Sequence, residues 1–473
     1  MKKILFVVPK QSEEYPQYPH TGIGYLSEYL ASKGIDSNIV DMRLGYSEEQ
    51  LADFAAKYKP DFVGVTMVTA GRNSGYRIIS FLKSKGYTIV LGGPHVSMLG
   101  KKVLEETPVD FAVKCEGEEA IFELLKGKKP ETIKNLIFRK NSQIIENPVR
   151  PFIKKLDKIP WPKHEKAEIS KYRGGGVSIV TSRGCPYSCI YCSAHLGMGR
   201  GYRARSPESV IKELKFWALR GKRYFHIVDD NFTLDKARVM KICSLIIKNN
   251  IKATFACDGV RADRVDFEVL KKMKEAGVKY LSFGVEGGNN KVLAAIKKGE
   301  TIEQIEKAIR DSVKLGFEVY LYFLIGSPTE TPKDVEDSIN LALKYPIAGA
   351  NFYNLVPFPG TELMSYVQKS GHFIIKPEQY LKDVPYYGDN PVFETKEFTR
   401  VQRIRALRRA NRIRTLIRRK VLKKRLYKLG ISGRLAYPFL KYEFIKDVIV
   451  NRFMVKVPIL RGIIRKKTED AFI

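Results

Sequence analysis

Short runs of β-branched and other apolar residues alternate with amphipathic segments in the first part of the chain. The apolar runs predict five strands, at Ile4–Val8, Ser37–Asp41, Phe62–Val68, Ile89–Gly92 and Phe111–Cys115. Apolar positions at helical spacing predict the helices between them, at Gly24–Lys33, Glu48–Lys57, Asn73–Lys83 and Ser97–Glu105. This alternation predicts a doubly wound, flavodoxin- or Rossmann-like parallel sheet with helices on both faces.

A second run of alternating elements follows a break in the pattern. A hairpin-like segment at Asn135–Pro148 and a linker with Pro160 and Pro162 separate the two runs, because proline cannot continue a helix. Six further strands are predicted, at Val177–Ser182, Tyr224–Asp229, Ala253–Asp258, Tyr280–Glu286, Val319–Gly326 and Asn351–Pro357. Six β/α units predict a partial TIM-type (β/α)6 barrel, in which the chemistry gathers at the carboxyl ends of the strands.

These patterns predict an α/β protein with four regions. Residues 1–135 form the doubly wound domain, 136–170 the hairpin and linker, 171–385 the barrel, and 386–473 a basic, α-helical C-terminal region. The composition agrees, since a chain of 473 residues with 44% apolar content can bury more than one core.

The six cysteines are unevenly spaced and do not resemble the disulfide framework of a small secreted domain. No segment approaches the roughly 20 consecutive apolar residues that span a bilayer. We therefore expect a cytoplasmic protein that is neither exported nor inserted in a membrane.

The net charge of +32 is concentrated at one end of the chain. From Thr399 to Ile473 there are 23 lysines and arginines against four acids, which places +19 in this segment. Between Arg400 and Lys428, 14 basic residues interleave with apolar ones at near-helical spacing and predict one or two basic amphipathic helices.

Three roles are open for this basic segment: packing on the barrel, binding a nucleic acid, or lying on an anionic membrane surface. Aromatic and apolar clusters further on, such as Tyr437-Pro438-Phe439-Leu440 and Phe453-Met454-Val455, favour the membrane over the nucleic acid. The segment therefore leads us to expect a peripheral enzyme on the inner face of the membrane, acting on a lipid-like chain.

Three cysteines stand within eight residues at the end of the first barrel strand. Cys185, Cys189 and Cys192 have the spacing C-x3-C-x2-C, and thiolates select zinc or iron–sulfur clusters. His195 follows closely, so a Cys3His zinc site is one interpretation. A 4Fe–4S cluster held by three cysteines is the other, and it would leave one iron open for a substrate.

The cysteine motif, with Tyr191 before its last cysteine, resembles that of the radical S-adenosylmethionine (radical SAM) superfamily. Other strand ends also resemble the family, notably Gly284-Val285-Glu286-Gly287-Gly288, Leu324-Ile325-Gly326-Ser327-Pro328 and Pro357-Phe358-Pro359-Gly360. Asp229-Asp230-Asn231 stands where most members have Gly-Gly-Glu, a departure that one large subset of the family shares.

The resemblance implies that Cys185, Cys189 and Cys192 bind a 4Fe–4S cluster and that SAM chelates its fourth iron. It assigns SAM contacts to Tyr191, Asp229, Asn231, Arg261, Glu286, Ile325 and Gly326. Alternatives from the residues themselves stay open: Asp230 could cap the next helix, and Arg261 could pair with Asp263 or Glu286. Cys257 could line the site or pack in the core.

Loops rich in glycine fall at the carboxyl ends of the first set of strands, where doubly wound sheets bind ligands. Ordinary turn chemistry explains each loop alone, but a doubly wound domain before such a barrel resembles the cobalamin-binding domain of cobalamin-dependent radical SAM enzymes. The resemblance implies cobalamin contacts from Gly22, Gly24, Thr66, Thr69, Gly92, Gly93, His95, Glu116 and Gly117. The Asp-x-His-x-x-Gly motif of classical cobalamin domains is missing, so we expect His95 to be a polar lining residue and not a cobalt ligand.

The resemblance implies a class B-like methyltransferase that reductively cleaves SAM and removes hydrogen from an unactivated carbon of a small-molecule or lipid-like substrate. A one-electron donor such as ferredoxin or flavodoxin would reduce the cluster. Cyclisation, carbon–carbon coupling and rearrangement fit the same architecture. A methylthiotransferase acting on tRNA fits less well, because only Cys115 precedes residue 185, and a cobalamin or nucleic-acid sensor would leave the cysteine motif unused.

Overall fold

The computed structural model of the protein describes residues 2–10, 16–173, 175–370, 372–386 and 388–427. The strands are β1 (Ile4–Val8), β2 (Ser37–Asp41), β3 (Phe62–Thr66), β4 (Ile89–Gly92), β5 (Phe111–Val113), β6 (Leu136–Lys140), β7 (Gln143–Glu146), β8 (Val177–Ile179), β9 (Ser182–Arg183), β10 (Arg203–Ala204), β11 (Tyr224–Ile227), β12 (Thr254–Val260), β13 (Val278–Glu286), β14 (Glu318–Ile325) and β15 (Gly349–Asn354).

Helices connect these strands in the described part of the chain. They are α1 (Thr21–Ser32), α2 (Glu48–Tyr58), α3 (Arg72–Ser84), α4 (Pro94–Leu99), α5 (Lys102–Glu106), α6 (Glu118–Leu125), α7 (Ala194–Met198), α8 (Pro207–Leu219), α9 (Lys236–Lys248), α10 (Phe267–Glu275), α11 (Asn290–Ala295), α12 (Ile302–Lys314), α13 (Pro332–Lys344), α14 (Glu362–Ser370), α15 (Pro377–Tyr380) and α16 (Arg400–Tyr427). Among these helices, none is long and apolar enough to cross a membrane.

The first sheet has the order β2-β1-β3-β4-β5-β6-β7, and its first five strands are parallel. Every residue of β1 is buried because helices cover both faces of the sheet. Alternate residues of β1 enter two separate cores: Leu5 and Val7 on one face, Ile4, Phe6 and Val8 on the other. The doubly wound domain is therefore confirmed.

Two details of the N-terminal domain differ from the sequence patterns. The hairpin β6–β7, which the sequence pattern places outside the first domain in the hairpin-and-linker region 136–170, pairs with β5 and extends the first sheet. The helix expected at Ser97–Glu105 is two helices, α4 and α5, because Gly100 adopts a positive φ of 57° that ends α4.

The second sheet has the order β15-β14-β13-β12-β11-β8, with all six strands parallel. It is the partial barrel that the pattern predicts. Residues on β14 alternate: Val319, Leu321 and Phe323 are fully buried under the helices, whereas Tyr320 and Tyr322 face the lumen. Cys257 belongs to the helix-facing core and so packs instead of lining the site.

The long helix α16 packs along the open edge of the partial barrel, against β15, β14 and α13, from Ile325 at one end of β14 to Glu318 at the other. Its buried face carries Arg403, Leu407, Ala410 and Ile417, so packing on the barrel accounts for one side of the basic segment. Residues 428–473, which include the aromatic clusters that favoured a membrane, lie outside the described residues.

A buried ionic network joins the two domains beside the cysteine loop. Arg183 on β9 contacts Glu116 at 2.9 Å and Glu118 at 2.8 Å, and Arg203 on β10 contacts Glu116 at 2.6 Å. The Arg183 guanidinium also lies over the ring of Tyr25 on α1, 5.0 Å from its centroid. Both domains therefore supply charge to the same junction.

Candidate active site

Two short strands and two carboxylates hold the cysteine loop. Strands β9 and β10 pair antiparallel at its two ends. Asp229 accepts hydrogen bonds from the backbone N–H of Thr181 (2.6 Å), the hydroxyl of Thr181 (2.5 Å) and the hydroxyl of Ser182 (2.6 Å). Asp230 accepts one from the N–H of Gly184 at 2.8 Å. Burial raises the pKa of both carboxyl groups.

These contacts give the Asp229-Asp230-Asn231 turn a structural role. Asp229 is committed to the strand before the cysteines, so its contact with SAM stays a prediction. Asp230 holds the first residue of the loop and does not cap the next helix, since the N-cap of α9 is Asp235. The turn thus fixes where the cysteine loop begins.

The three thiols are half-buried at the carboxyl end of the barrel. Burial raises the pKa of Cys189, while the positive charges of Lys298 and Arg261 oppose that rise. Burial also raises the pKa of Cys192, to about 11. Because iron binds thiolates, these two cations help to hold the sulfur of Cys189 in the form that a cluster needs.

Asn231 is fully buried next to the first cysteine. Its side-chain amide donates to Sγ of Cys185 at 3.8 Å, and its Oδ1 has no hydrogen-bond partner in the described part of the chain. A buried carbonyl oxygen without a partner costs free energy, which a bound donor such as an amino group would offset. Asn231 therefore fits a ligand at this point.

Glu286 ends β13 in a left-handed conformation, with φ of 68°. Such backbone strain is rare for residues other than glycine and clusters at functional sites. Its carboxylate lies 3.5 Å from Nζ of Lys298 and faces the hydroxyl of Tyr191, whose pKa is raised by burial and by this carboxylate. Gly284 leaves the space, because a Cβ there would lie 2.5 Å from Oε1 of Glu286.

The guanidinium of Arg261 makes its contacts with other residues of the protein. Its Nε donates to Asp263 at 2.9 Å, its Nη atoms donate to the carbonyl of Lys298 at 3.1 Å, and its guanidinium stacks 3.4 Å from the ring centroid of Tyr187. The ion pair with Asp263 is one of the two alternatives left open by the sequence. A direct contact of Arg261 with SAM stays a prediction.

The end of β14 is held from the C-terminal helix. The carboxylate of Glu330 accepts the N–H groups of Gly326 (2.5 Å) and Ser327 (2.9 Å), and Arg403 of α16 donates to the carbonyl of Ile325 at 3.3 Å. Gly326, at φ of 111°, has no room for a Cβ against this arginine. These contacts fix the backbone that is predicted to meet the adenine of SAM.

His195 does not complete a zinc site in this structure. Across the described ranges, no three His, Cys, Asp or Glu side chains are placed to hold a metal ion. His195 lies in the first turn of α7, and burial together with Arg200 lowers its pKa. A 4Fe–4S cluster, which is wider than one ion, remains the interpretation of the three thiols.

The carboxyl edge of the first sheet faces the cysteine loop. Ala70, after β3, and Met98, on α4, pack against a cluster that contains Ile190 of that loop. Sγ of Cys115 lies 3.4 Å from the carbonyl of Leu196 on α7. The edge at which cobalamin is predicted is therefore next to the predicted iron–sulfur site.

His95 is completely buried at this edge, and both ring nitrogens have partners. Nδ1 lies 3.0 Å from the hydroxyl of Thr69 and Nε2 lies 2.9 Å from the hydroxyl of Tyr76. Burial, with a smaller contribution from Arg72, lowers the pKa of His95 to about 4, so the ring is neutral. This arrangement favours a role in orienting Thr69 over cobalt ligation.

The glycines predicted to contact cobalamin fall into two groups. A Cβ at Gly24 would lie 2.7 Å from Pro162, and one at Gly93 would lie 2.7 Å from the carbonyl of Met67, so packing within the chain already requires these glycines. Gly92, by contrast, has room for a Cβ, whose nearest neighbour would be the carbonyl oxygen of Val113 at 4.0 Å. Its neighbourhood therefore fits a bound ligand.

The other predicted cobalamin residues differ in their surroundings. Thr66 is buried beside Gly93, Gly117 precedes α6, and Gly22 lines the barrel cavity described below. The Glu116 carboxylate is occupied by the domain junction and by the N–H of Ile153 at 2.7 Å. Contacts of these residues with cobalamin stay predictions.

Sequence reasoning missed Lys298, Glu300 and the Arg403–Glu330 pair. Glu300 accepts the N–H of Ala262 at 2.6 Å and lies 3.5 Å from Lys298. No motif spacing links these residues to the cysteines, because Lys298 and Glu300 lie far from Cys185, Cys189 and Cys192 along the chain.

The barrel encloses a cavity of about 730 Å³ between its strands, α16 and the segment before α1. Inward-facing residues of the strands, including His226, Asp258 and Ser282, line it below the level of Glu286. We call it the lumen cavity. It is large enough for a small-molecule substrate.

Residues 179–342 match the radical SAM superfamily, and residues 15–125 match the B12 binding domain. The chain belongs to the radical SAM superfamily, in the group whose members also carry a B12-binding domain.

It is 32% identical to an uncharacterized methyltransferase of Pyrococcus horikoshii, over 90% of this chain and 95% of that protein. It is 27% identical to the anaerobic magnesium-protoporphyrin IX monomethyl ester cyclase of Cereibacter sphaeroides, over 84% of this chain and 68% of that one. The fold is that of the cobalamin-dependent SAM radical enzyme OxsB bound to aqua-cobalamin and SAM, with a TM-score of 0.74, 17% identity, and coverage of 99% and 75% of the two chains.

The protein is thus a cobalamin-dependent, radical SAM methyltransferase-like enzyme, and its cofactors are a 4Fe–4S cluster, SAM and cobalamin. The residues fit this set: three clustered thiols, a buried oxygen of Asn231 with no partner among the described residues, and room beside Gly92 at the sheet edge.

A His95→Phe variant is expected to keep its cobalamin, because both ring nitrogens of His95 already bond within the protein. The electron paramagnetic resonance spectrum of the cob(II)alamin-loaded protein should show no nitrogen splitting from histidine, in the wild type or the variant. A nitrogen splitting in the wild type that vanishes in His95→Phe would show instead that His95 moves to bind cobalt.

Proposed function

We propose that the protein transfers a methyl group from SAM, by way of cobalamin, to an unactivated carbon of a small molecule bound in the lumen cavity. One observation carries the proposal: the carboxyl edge of the cobalamin domain meets the cysteine loop, through Ala70, Met98 and Cys115. A methyl carrier on that edge would lie beside the site of SAM cleavage.

The residues of the chain would bind the cofactors, orient SAM and shield the site from water. Cys185, Cys189 and Cys192 would hold three irons, and the cations Lys298 and Arg261 favour the thiolate form of Cys189. When bound, the cofactors supply the electron transfer, the SAM cleavage and the methyl group.

Orientation of SAM would come from three places. Asn231 offers its unpartnered Oδ1 to the amino group, Glu286 can accept bonds from ribose hydroxyls, and the backbone at Ile325 and Gly326 can meet the adenine. Each of these groups is held in place by neighbouring residues, which limits the reorganisation needed on binding.

Isotope-labelled SAM tests the methyl transfer without knowledge of the substrate. The loaded, reduced protein is incubated anaerobically with SAM carrying a deuterated methyl group. We expect S-adenosylhomocysteine and labelled methylcobalamin, detected by mass spectrometry. Formation of 5′-deoxyadenosine with neither of these products would overturn the methyltransferase proposal.

A cyclase is the second candidate, supported by the relative named as a magnesium-protoporphyrin ester cyclase. A cyclase would not need to release S-adenosylhomocysteine, so the same experiment separates the two. The relative named as a methyltransferase is the more similar of the two and covers more of both chains, which is why methyl transfer is preferred.

As a more specific part of the proposal, the enzyme would bind the inner face of an anionic membrane and act on a lipid-like substrate. The support is the charge of +19 between Thr399 and Ile473. Flotation with anionic vesicles at low salt should carry the full-length protein upward, whereas neutral vesicles should not. A protein that stays at the bottom with both kinds would remove this part and leave the chemistry intact.

A further inference from the structure

The lumen cavity is lined by polar side chains at positions where the interior of a β/α barrel is normally filled with branched apolar ones. His226 on β11, Asp258 on β12 and Ser282 on β13 all line it. Asp258 is the only acid among the described residues of the cavity wall. A carboxylate in such a place needs partners, because a charge away from bulk water costs free energy unless other groups compensate it.

Two neighbours hold the Asp258 carboxylate in the wall. Nε2 of His226 lies 2.8 Å from Oδ2 of Asp258, and Ser282 gives a further hydrogen bond. Burial opposes the ionisation of Asp258, but the bonds from His226 and Ser282 outweigh this effect and lower its pKa. Asp258 is therefore an ionised hydrogen-bond acceptor whose orientation is fixed by two neighbouring strands.

The carboxylate has acceptor capacity beyond these two bonds. Its two oxygens offer about four lone-pair positions, whereas His226 and Ser282 supply two donors. The Asp258 side chain is 39% exposed, and it is exposed to the cavity that it lines. A donor group that enters the cavity therefore meets a charged oxygen that can accept its hydrogen bond.

Aromatic and small side chains surround this carboxylate. Four wall residues of the cavity belong to one cluster: Tyr18, Ala256, Tyr280 and Tyr320. The rings of Tyr18 and His226 lie 5.8 Å apart, so the segment before α1, which belongs to the first domain, supplies part of the wall. Such walls suit a flat or elongated apolar body.

The cavity and the predicted ribose contact share one face of β13. Ser282 lines the cavity, and Glu286 follows four residues later on the same face. Four residues of an extended strand cover about 13 Å. An elongated molecule of about this length, anchored at Asp258, would present its far end to the SAM site.

We propose that Asp258 is a substrate-binding residue that accepts a hydrogen bond from a hydroxyl or amino group at the inner end of an elongated, mainly apolar substrate. His226 and Ser282 are the positioning residues that orient the carboxylate. The inference deepens the proposed function and rests on it, because it takes the lumen cavity as the substrate site. It also narrows the substrate class, since a carboxylate in this place disfavours a substrate whose inner end is itself an acid.

Two naphthalenes of similar shape provide the probe. 2-Naphthol carries a hydroxyl donor, and 2-methoxynaphthalene lacks it. Calorimetric titration of the full-length protein, loaded with cluster and cobalamin, should show tighter binding of 2-naphthol. In an Asp258→Leu variant the affinity for 2-naphthol should fall about tenfold or more, as expected for loss of a charge-assisted bond, while 2-methoxynaphthalene binds as before.

An Asp258→Asn variant keeps the shape of the side chain and an oxygen that can accept from His226. Its affinity for 2-naphthol should fall by a smaller factor, because the acceptor is neutral. This variant also decides the question if the leucine variant does not fold. Equal affinity of the wild type for both probes, an equal loss of both probes in the Asp258 variants, or no loss of 2-naphthol would overturn the proposal.

An Asp311→Asn variant is the matched control. Asp311 is on α12, pairs with Lys307 at 2.7 Å, and is not one of the residues that line the cavity. The substitution removes the same charge as Asp258→Asn. The control should discriminate between the two probes as the wild type does, and a loss equal to that of Asp258→Asn would count against a local bond.

The same preparations test the proposed function separately, because formation of S-adenosylhomocysteine and labelled methylcobalamin does not require the probe. Binding of 2-naphthol that depends on Asp258, without these products, would remove the methyltransferase proposal and leave the donor-binding site standing. Formation of these products without such binding would remove the inference about Asp258 alone.

Discussion

A Cys189→Ala variant is expected to lose the iron–sulfur cluster and the capacity to form 5′-deoxyadenosine together. Cys189 is the middle ligand of the motif, and its thiol is the one that Lys298 and Arg261 both influence. Two remaining thiolates cannot hold three irons of a cube. Iron and sulfide content after anaerobic reconstitution, together with product analysis by chromatography, checks the result.

Cobalamin binding should survive this substitution, because the predicted contacts lie on the first sheet and not on the cysteine loop. A Cys243→Ala variant is the control, since Cys243 is a buried thiol in the core between α9 and its neighbours. The control should keep the cluster and the product. A Cys189→Ala protein that still binds a full complement of iron would refute the assignment of the cluster ligands.

An Arg403→Met variant is expected to destabilise the protein by about 3–5 kcal/mol, because it removes a buried cation that bonds two backbone carbonyls and favours the charged form of the buried Glu330 carboxyl. Arg403 is fully buried between the carbonyls of Ile325 and Phe393, and it opposes the charge of Glu330. Without it, Glu330 would be a buried carboxylate with no counter-charge. The cooperative melting of the barrel, followed by circular dichroism, measures the loss.

The pH dependence of that loss has a definite sign. Burial raises the pKa of Glu330 to about 7 from 4.5, so the folded protein holds this proton more tightly than the unfolded chain. Stability from this group is therefore present at low pH and declines as the pH rises from about 4.5 to about 7. Loss of the Arg403 charge should move the upper end of that window to higher pH.

An Arg403→Met/Glu330→Gln double variant separates charge from packing. The glutamine oxygen can still accept the N–H groups of Gly326 and Ser327, but it carries no charge. The double variant should regain much of the free energy of unfolding that Arg403→Met loses. Its stability should also no longer depend on pH in this range. If it is no more stable than the single variant, the guanidinium acts through packing alone.

The strands of both sheets could be predicted from apolar periodicity, because runs such as Ile4–Val8 are long, uniform and buried on both faces. The cysteine loop could also be placed, since it follows a strand. Apolar periodicity could not predict the helix break at Gly100 or the division of the predicted strand Val177–Ser182 into β8 and β9. They depend on a left-handed glycine and on pairing with β10, which is 20 residues further on.

Roles within the site divide in the same way. Residue type and position identified the cysteines and Glu286 as candidate site residues. They could not predict that Asp229 and Arg261 bind other parts of the chain. Those partners, Thr181 and the carbonyl of Lys298, lie 48 and 37 residues away. A pattern read along the sequence has no means of pairing a carboxylate with a hydroxyl on a neighbouring strand.

The junction of Arg183 with Glu116 and Glu118 has a consequence for how the enzyme can be divided. A barrel cut free at its first strand would carry Arg183 and Arg203 into water beside the cysteine loop, and the separated first domain would keep two acids with no cation. The two domains therefore cannot be separated at this junction without exposing charges that the intact protein pairs. An exchange of domains between relatives would therefore have to carry both sides of the junction.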